Sequence, residues 1–225
     1  MMRVSLIIPA LNEAESLGRL LAEVPSGVLD QLIVVDNGSI DSTAEVARAS
    51  GAQVVVEPRR GYGFACAAGA AAANGDILVF MDGDGSFMPA ELPSLLTPLI
   101  SGQADLVLGS RMSRAAQQIA MPSHQLFGNR LFVLLLQRRF GLSITDLGPY
   151  RAIRRDLLQS LKMQEQTYGW PLEMIMKTAR CQCSIVEIPI TYRPRFAGQS
   201  KVGGTLRGTI LTAYRYFSVW ARYSI

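Results

Sequence analysis

Short apolar runs separated by helical stretches recur through the first 110 residues, and this alternation is what most narrows the possible folds. Residues 3–9, 31–36, 53–57, 77–81 and 105–109 each read as a strand. Between them, residues 15–24, 44–49, 64–73 and 89–100 have helical spacing or composition, with Asp41-Ser42-Thr43 as a capping signal and Pro89 in a first turn. Strands alternating with helices at this pitch predict βαβ units, right-handed crossovers and a mostly parallel sheet. The runs are apolar in their centres, and the first reads as a fully buried strand. Further on, residues 125–140 and 205–223 predict helices. Residues 185–192 predict a late strand, which Pro189 confines to a sheet edge. There is no repeat or linker, so residues 1–225 read as one α/β domain.

The strand ends carry the chemistry. Asp36 closes the second run, Asn12-Glu13 follows the first, and Asp82-Gly83-Asp84 follows the fourth. Open α/β sheets bind ligands at the carboxyl edge. Acids gathered there are costly unless a cation or hydrogen-bonding ligand compensates them. Two carboxylates one residue apart suit a divalent cation shared with substrate phosphates. A plain Asp/Gly turn has the same composition as Asp82-Gly83-Asp84, so its neighbours decide. Arg59-Arg60-Gly61-Tyr62-Gly63 resembles a glycine-rich phosphate loop at a helix start. It lacks the dinucleotide and Walker spacings, which argues against NAD and P-loop readings.

Composition supports an anionic ligand. The chain has 225 residues, 49% hydrophobic and 18% charged, so a packed core is expected and disorder is not. Its net charge is +4, and of 22 basic residues only Lys162, Lys177 and Lys201 are lysine. Arginine is the better bidentate phosphate ligand. The basic residues are dispersed beside acidic strand ends, which argues against nucleic acid. Cys66, Cys181 and Cys183 lack metal spacing and read as reduced thiols. Met1-Met2-Arg3 leads straight into a strand, and no apolar run reaches the roughly 18 residues of a spanning helix. A cytoplasmic protein is expected.

Taken together, Ile8-Pro-Ala-Leu-Asn-Glu13, Val35-Asp-Asn-Gly-Ser-Ile-Asp-Ser-Thr43, Arg60-Gly-Tyr-Gly63 and Met81-Asp-Gly-Asp-Gly-Ser86 resemble family 2 glycosyltransferases of the GT-A fold. Gly109-Ser-Arg111, Thr145-Asp-Leu-Gly-Pro-Tyr-Arg151 and Arg195-Phe-Ala-Gly-Gln-Ser-Lys201 are similar to the dolichol- or polyprenyl-phosphate mannose synthase-like branch. The acceptor segment is one residue shorter than the branch pattern, and its glycine has moved. The resemblance implies a Rossmann-like sheet flanked by helices, with residues 1–110 holding a nucleotide sugar. Residues 111–225 would form the acceptor side, ending in an amphipathic helix. It implies that Asp36 holds the nucleoside, with Pro9, Leu11 and Glu13 lining its pocket and Gly61 and Gly83 close by. Asp84, with Asp82, would bind Mg2+ or Mn2+. Arg111, Arg130, Arg195, Ser200 and Lys201 would surround phosphates.

The expected reaction is inverting transfer of a hexose from a UDP- or GDP-sugar to a polyprenyl phosphate, with Asp84 and Arg111 at the reacting centre. A lipid phosphate is already an anion and needs no base. A soluble hydroxyl acceptor, the alternative, requires one, and Asp146 is the candidate. A sugar-phosphate nucleotidyltransferase would need a glycine-rich basic loop where the chain has Pro9-Ala-Leu-Asn-Glu13. His124, in a Pro/Ser setting, reads as a loop residue. Trp170 and Glu173 could line the acceptor site or simply start a helix. Leu206, Ile210, Ala213, Tyr214, Phe217 and Trp220 make one apolar stripe. Core packing, a homodimer seam and peripheral contact with the cytoplasmic membrane face all suit it.

Overall fold

The computed structural model describes residues 2–112, 122–198 and 206–224. The expected alternation is present. Strands β1 (Val4–Ala10), β2 (Gln31–Asp36), β3 (Gln53–Val56), β4 (Ile77–Phe80) and β5 (Leu106–Ser110) are separated by α1 (Ala14–Ala22), α2 (Thr43–Ala49), α3 (Tyr62–Ala72) and α4 (Leu92–Ile100). There follow α5 (Ser123–Phe140), β6 (Arg151–Arg154), α6 (Arg155–Leu161), α7 (Trp170–Arg180), β7 (Ile185–Pro189) and α8 (Leu206–Tyr223). The seven strands form one sheet in the order β3-β2-β1-β4-β6-β5-β7. The chain order reverses between β1 and β4, so the ends of β2, β1 and β4 lie side by side at the switch point. Glu13, Asp36 and the Asp82/Asp84 pair therefore follow three adjacent strands.

The strands β1, β2, β4 and β5 are mostly apolar because each is covered twice. Leu6, Ile8, Val34, Ile77, Val79 and Val107 face α1, α2 and α4. Ile7, Ile33, Val35, Leu78, Phe80 and Leu108 face α3, α5, α6 and α7.

Strand β6 is the one strand of this sheet that periodicity does not announce. Two of its four residues are arginine, and only Ala152 and Ile153 form a buried apolar centre. Arg151 nevertheless turns inward, fully buried, and donates to the carbonyls of Pro171, Leu147 and Gly148. Arg154 Nε lies 3.5 Å from Asp105 Oδ1. β6 runs antiparallel to both β4 and β5, whereas every other pairing is parallel. Its first residue, Arg151, pairs with Phe80 and Leu108. The turn before it, which contains Asp146, is thus delivered to the edge where β4 ends. β7 is the predicted edge strand.

The C-terminal helix departs from the expected single stripe. Tyr216, Val219, Trp220 and Tyr223 pack on the core. Ile210, Tyr214 and Phe217 stay exposed, at 59%, 64% and 51%. Among the described residues no helix is long and apolar enough to cross a membrane.

Candidate active site

The end of β4 is shaped by hydrogen bonds that cross to the far end of the chain. Asp84 Oδ1 accepts from Ser86 N at 2.9 Å, and Asp84 Oδ2 from Arg195 Nη2 at 2.9 Å. A strap at residues 193–196 runs along the acids: Arg193 N donates to Ser86 O, and Phe196 N to Asp84 O. Gly85 has φ of +80°, and a Cβ there would strike the Phe196 ring. A side chain is therefore barred twice, by conformation and by space.

Asp84, Asp82 and Glu13 line a cavity of about 1040 Å3 together with Pro9, Leu11, Gly61, Gly83, Arg111 and Arg195. These are nine of the residues that the sequence nominated. Burial and the neighbouring Asp84 carboxylate push Asp82 up to about 7, against the pull of Arg111. Among the described residues no arginine or lysine lies within ion-pair distance of Asp82. Nor does any group of three His, Cys, Asp or Glu side chains make a metal cage. Two hard carboxylates with substrate oxygens completing the shell would fit Mg2+ or Mn2+. Arg195 adds a second sign: its Nη1 is buried without a hydrogen-bond partner among the described residues. A buried guanidinium nitrogen left unsatisfied beside the acids suits an anion such as a diphosphate.

Other nominated residues sit elsewhere. Asp36 is not in the cavity wall; its Oδ1 accepts from Ser39 N at 2.9 Å, and the adjacent Asn37 lines the cavity instead. Asn37 holds the loop beyond β3, donating to Glu57 O and Arg59 O and accepting from Gly61 N. Arg130 is exposed on α5 and outside the wall, which its neighbour Asn129 joins. Ser200 and Lys201 lie outside the described residues.

The phosphate-loop reading of Gly61-Tyr62-Gly63 needs correction. A Cβ on Gly61 would run into Gln166 O, and one on Gly63 into Glu165 O. Phe64 N, at the start of α3, donates to Gln166 O at 3.1 Å. The two glycines admit the backbone of residues 165–166, and that backbone takes a helix-start donor that a phosphate would have used.

Asp146 is corrected as a general base. Its carboxylate is fully buried, and both oxygens are engaged. Oδ2 accepts from Arg111 N and Nε, and Oδ1 from Arg111 Nη2 and Leu147 N, all at 2.8 Å. Burial pushes the carboxyl up, but the Arg111 guanidinium outweighs it and holds the group below its ordinary value. A bidentate, low-pKa carboxylate is a poor proton acceptor. Asp146 instead aims Arg111 at the cavity, where Arg111 also lies 5.4 Å from the Tyr192 ring centroid.

Trp170 and Glu173 do not line the cavity either. Glu173 is fully buried and accepts from Gln164 N, Glu165 N, Tyr223 Oη and Lys177 Nζ, tying α7 to α8. His124, read as a loop residue, stands in the first turn of α5 and lines the wall. Sequence reasoning missed the apolar part of that wall. Phe127, Leu131 and Phe132 come from α5, and Ala213, Tyr216 and Phe217 from α8. The 3.6-residue spacing of the α8 aromatics was visible, but not which of its faces meets the cavity.

Comparison with known proteins agrees with the fold. Residues 5–162 match the family described as Glycosyl transferase family 2. An uncharacterized glycosyltransferase of Mycobacterium tuberculosis is 41% identical over 216 residues, covering 96% of this chain and 97% of the relative. An undecaprenyl-phosphate mannosyltransferase of Micrococcus luteus is 35% identical over 239 residues, covering 99% and 96%. Among solved structures, glucosyl-3-phosphoglycerate synthase from Mycobacterium tuberculosis in complex with Mn2+, UDP and glucosyl-3-phosphoglycerate superposes with a TM-score of 0.78. It is 26% identical, and the match covers 100% of this chain and 81% of the synthase.

Proposed function

The chain belongs to glycosyl transferase family 2, and from that premise we propose that it moves a hexose from a UDP- or GDP-sugar to an acceptor that presents an anionic phosphate oxygen, a polyprenyl phosphate being the best fit. One observation carries the choice of acceptor. The carboxylates lining the cavity are Glu13, Asp82 and Asp84, all on the donor side, and Asp146 is locked against Arg111. A hydroxyl acceptor would need a base, whereas a phosphate monoester is ionised at neutral pH and needs only to be held in line. The apolar wall from α5 and α8 suits a hydrocarbon chain leading away from that phosphate.

In this reading residues 1–110 form the donor side and residues 111–225 the acceptor side of one domain. Asp82 and Asp84 hold a divalent cation, which supplies Lewis-acid charge to the departing diphosphate. Arg195, with its unsatisfied Nη1, and Arg111, fixed by Asp146, meet phosphate oxygens. Glu13, Pro9 and Leu11 face the nucleoside, and attack from the opposite side of the sugar inverts the anomeric carbon.

A second reading rests on His124. It lines the same cavity and could take a proton from a soluble hydroxyl acceptor, and the similar synthase of known structure was crystallised with glucosyl-3-phosphoglycerate. The two readings part in one experiment. UDP-glucose, UDP-GlcNAc and GDP-mannose are offered with Mn2+, with undecaprenyl phosphate or 3-phosphoglycerate as acceptor, to the wild type and to His124→Gln. Transfer to the lipid phosphate that is indifferent to His124→Gln is the expected result. Transfer only to the hydroxyl acceptor, lost in His124→Gln, would replace the first reading with the second. No nucleotide release with any donor would remove both.

A further inference from the structure

The turn at residues 144–147 is held by side chains from three separate elements. Glu187 on β7 accepts from Thr145 N at 2.9 Å, Thr145 Oγ1 at 2.8 Å and Asp146 N at 2.8 Å. Asn129 on α5 donates to Thr145 O at 3.2 Å and accepts from Leu147 N at 3.0 Å. Gln137, two turns further along α5, donates to Ile144 O at 2.8 Å. Ser110, the last residue of β5, has its hydroxyl 2.8 Å from Thr145 Oγ1. Closing a turn of this size requires far fewer bonds. All of them fix one thing, the direction of the Asp146 carboxylate, which in turn fixes Arg111.

We propose that Glu187 and Asn129 are positioning residues for Arg111, acting through this turn, and that turnover depends on Arg111 being held in one place. The inference rests on the reading above, in which Arg111 meets a substrate phosphate. The physical reason is preorganisation. A guanidinium on a flexible stem loses freedom each time it meets a phosphate, whereas one already clamped in a bidentate pair does not. Glu187 suits its task because a carboxylate presents two acceptor oxygens to two backbone amides and a hydroxyl. A glutamine of the same size would turn an NH2 towards those donors. Asn129 has a second significance. It lines the cavity as well as gripping the turn, so a ligand resting against α5 shares a side chain with the device that aims Arg111.

A double-mutant cycle tests this. The affinity for pyrophosphate in the presence of Mn2+, by calorimetry, and the rate of UDP release from UDP-glucose are measured for the wild type, Glu187→Gln, Arg111→Lys and the double variant, with melting temperatures alongside. In the wild-type background Glu187→Gln is expected to weaken binding or slow release by about 10-fold; in the Arg111→Lys background it should add less than about 2-fold. Asn129→Asp keeps the acceptor for Leu147 N and loses the donor to Thr145 O, and should show the same background dependence. Equal losses in both backgrounds would mean that Glu187 merely supports the fold, and the proposal would be overturned. It would be overturned equally if Glu187→Gln changed neither readout while Arg111→Lys changed both. If Arg111→Lys and Arg111→Ala change neither, the fault lies instead with the assignment of Arg111 to a substrate phosphate.

Discussion

The two halves of the chain carry opposite charge. Through Asp105 there are thirteen acids and five arginines; beyond it there are five acids and seventeen basic residues. Two aspartates, one half-buried and one fully buried, show what the asymmetry does. Asp82, in the acid-rich half, is pushed up to about 7 by burial and by Asp84. Asp146, in the basic half, is buried more deeply and still held below its ordinary value, because Arg111 forms a bidentate pair with it. Burial is common to both, and a guanidinium within bonding distance is the difference. Asp146 is met by an arginine of its own half, whereas no arginine or lysine of the acid-rich half pairs with Asp82 or Asp84 among the described residues. Arg195 reaches back to Asp84 from the other half, and the remaining deficit suits a divalent cation.

The sharpest way to break this contrast is to delete one acid from each half. Asp84→Ala should abolish Mn2+-dependent nucleotide binding and lower transfer by about 10³-fold, the order expected for losing several kcal/mol of charge stabilisation. Its melting temperature should move by only a few degrees, since the bond to Ser86 and the partly exposed ion pair to Arg195 are lost while the repulsion on Asp82 is relieved. Asp146→Ala should do the reverse. Removing one partner of a buried pair costs roughly 3–5 kcal/mol, or on the order of 10 °C for a domain of this size. Metal-dependent nucleotide binding should survive in the folded fraction, weakened by about 10-fold because Arg111 is released, rather than abolished. Calorimetry and thermal melts on both variants decide; equal melting temperatures, or loss of metal binding in both, would dissolve the distinction.

The acid-rich half was also the more legible in the sequence. Its inner strands β1, β2 and β4 are covered on both faces, so they appear as mostly apolar runs with an acid at or just past the end. The basic half hides one of its strands. β6 has two arginines in four residues, and its place between β4 and β5 is set by packing of Ala152 and Ile153 and by the burial of Arg151. Gly61 and Gly63 misled for a related reason. Glycine marks a close backbone approach, but the sequence does not say whose backbone; here it belongs to residues 165–166, a hundred positions away. Asp146 was found as a residue and mistaken as a base, because its partner Arg111 lies 35 positions before it. Gly63→Ala tests the corrected role. Overlap with Glu165 O should cost about 1–3 kcal/mol and lower the melting temperature by several degrees. Unchanged stability would return the glycines to the phosphate reading.

A smaller effect follows from the pH dependence of metal-free stability. Asp82 has its folded value raised above its unfolded one, so between roughly pH 4 and 7 the unfolded chain releases that proton first. Stability from this group is therefore present at low pH and lost as pH rises through about 7. In EDTA, Asp82→Asn should gain a few degrees of melting temperature over the wild type at pH 8 and little at pH 4. Mn2+ should shrink the pH 8 gap by stabilising the wild type alone. A gap that is the same at both pH values would mean that Asp82 is already neutralised within the fold.

The smallest expected effect concerns the outer face of the basic half. From Leu106 to Thr145, and again from Ile188 to the end of the chain, there is no acid at all. These two stretches contain α5 and α8. Phe127 is 71% exposed on the first, and Tyr214 and Phe217 are 64% and 51% exposed on the second. Phe127 and Phe217 also line the cavity, so the exposed apolar face continues into the wall of the site. If the acceptor is a lipid phosphate, this is the face that would rest on an anionic membrane. A basic residue near such a surface contributes about 1 kcal/mol, so Arg215→Glu with Arg222→Glu should weaken partitioning onto phosphatidylserine vesicles by at least about 10-fold. Binding to neutral vesicles should stay low in both proteins. Mn2+-dependent nucleotide binding should not change, because neither arginine lines the cavity. That pairing of outcomes would separate the halves by function as cleanly as they are separated by charge. A wild-type protein that ignores anionic vesicles would leave the asymmetry to the phosphates inside the cavity alone, and would favour the soluble acceptor.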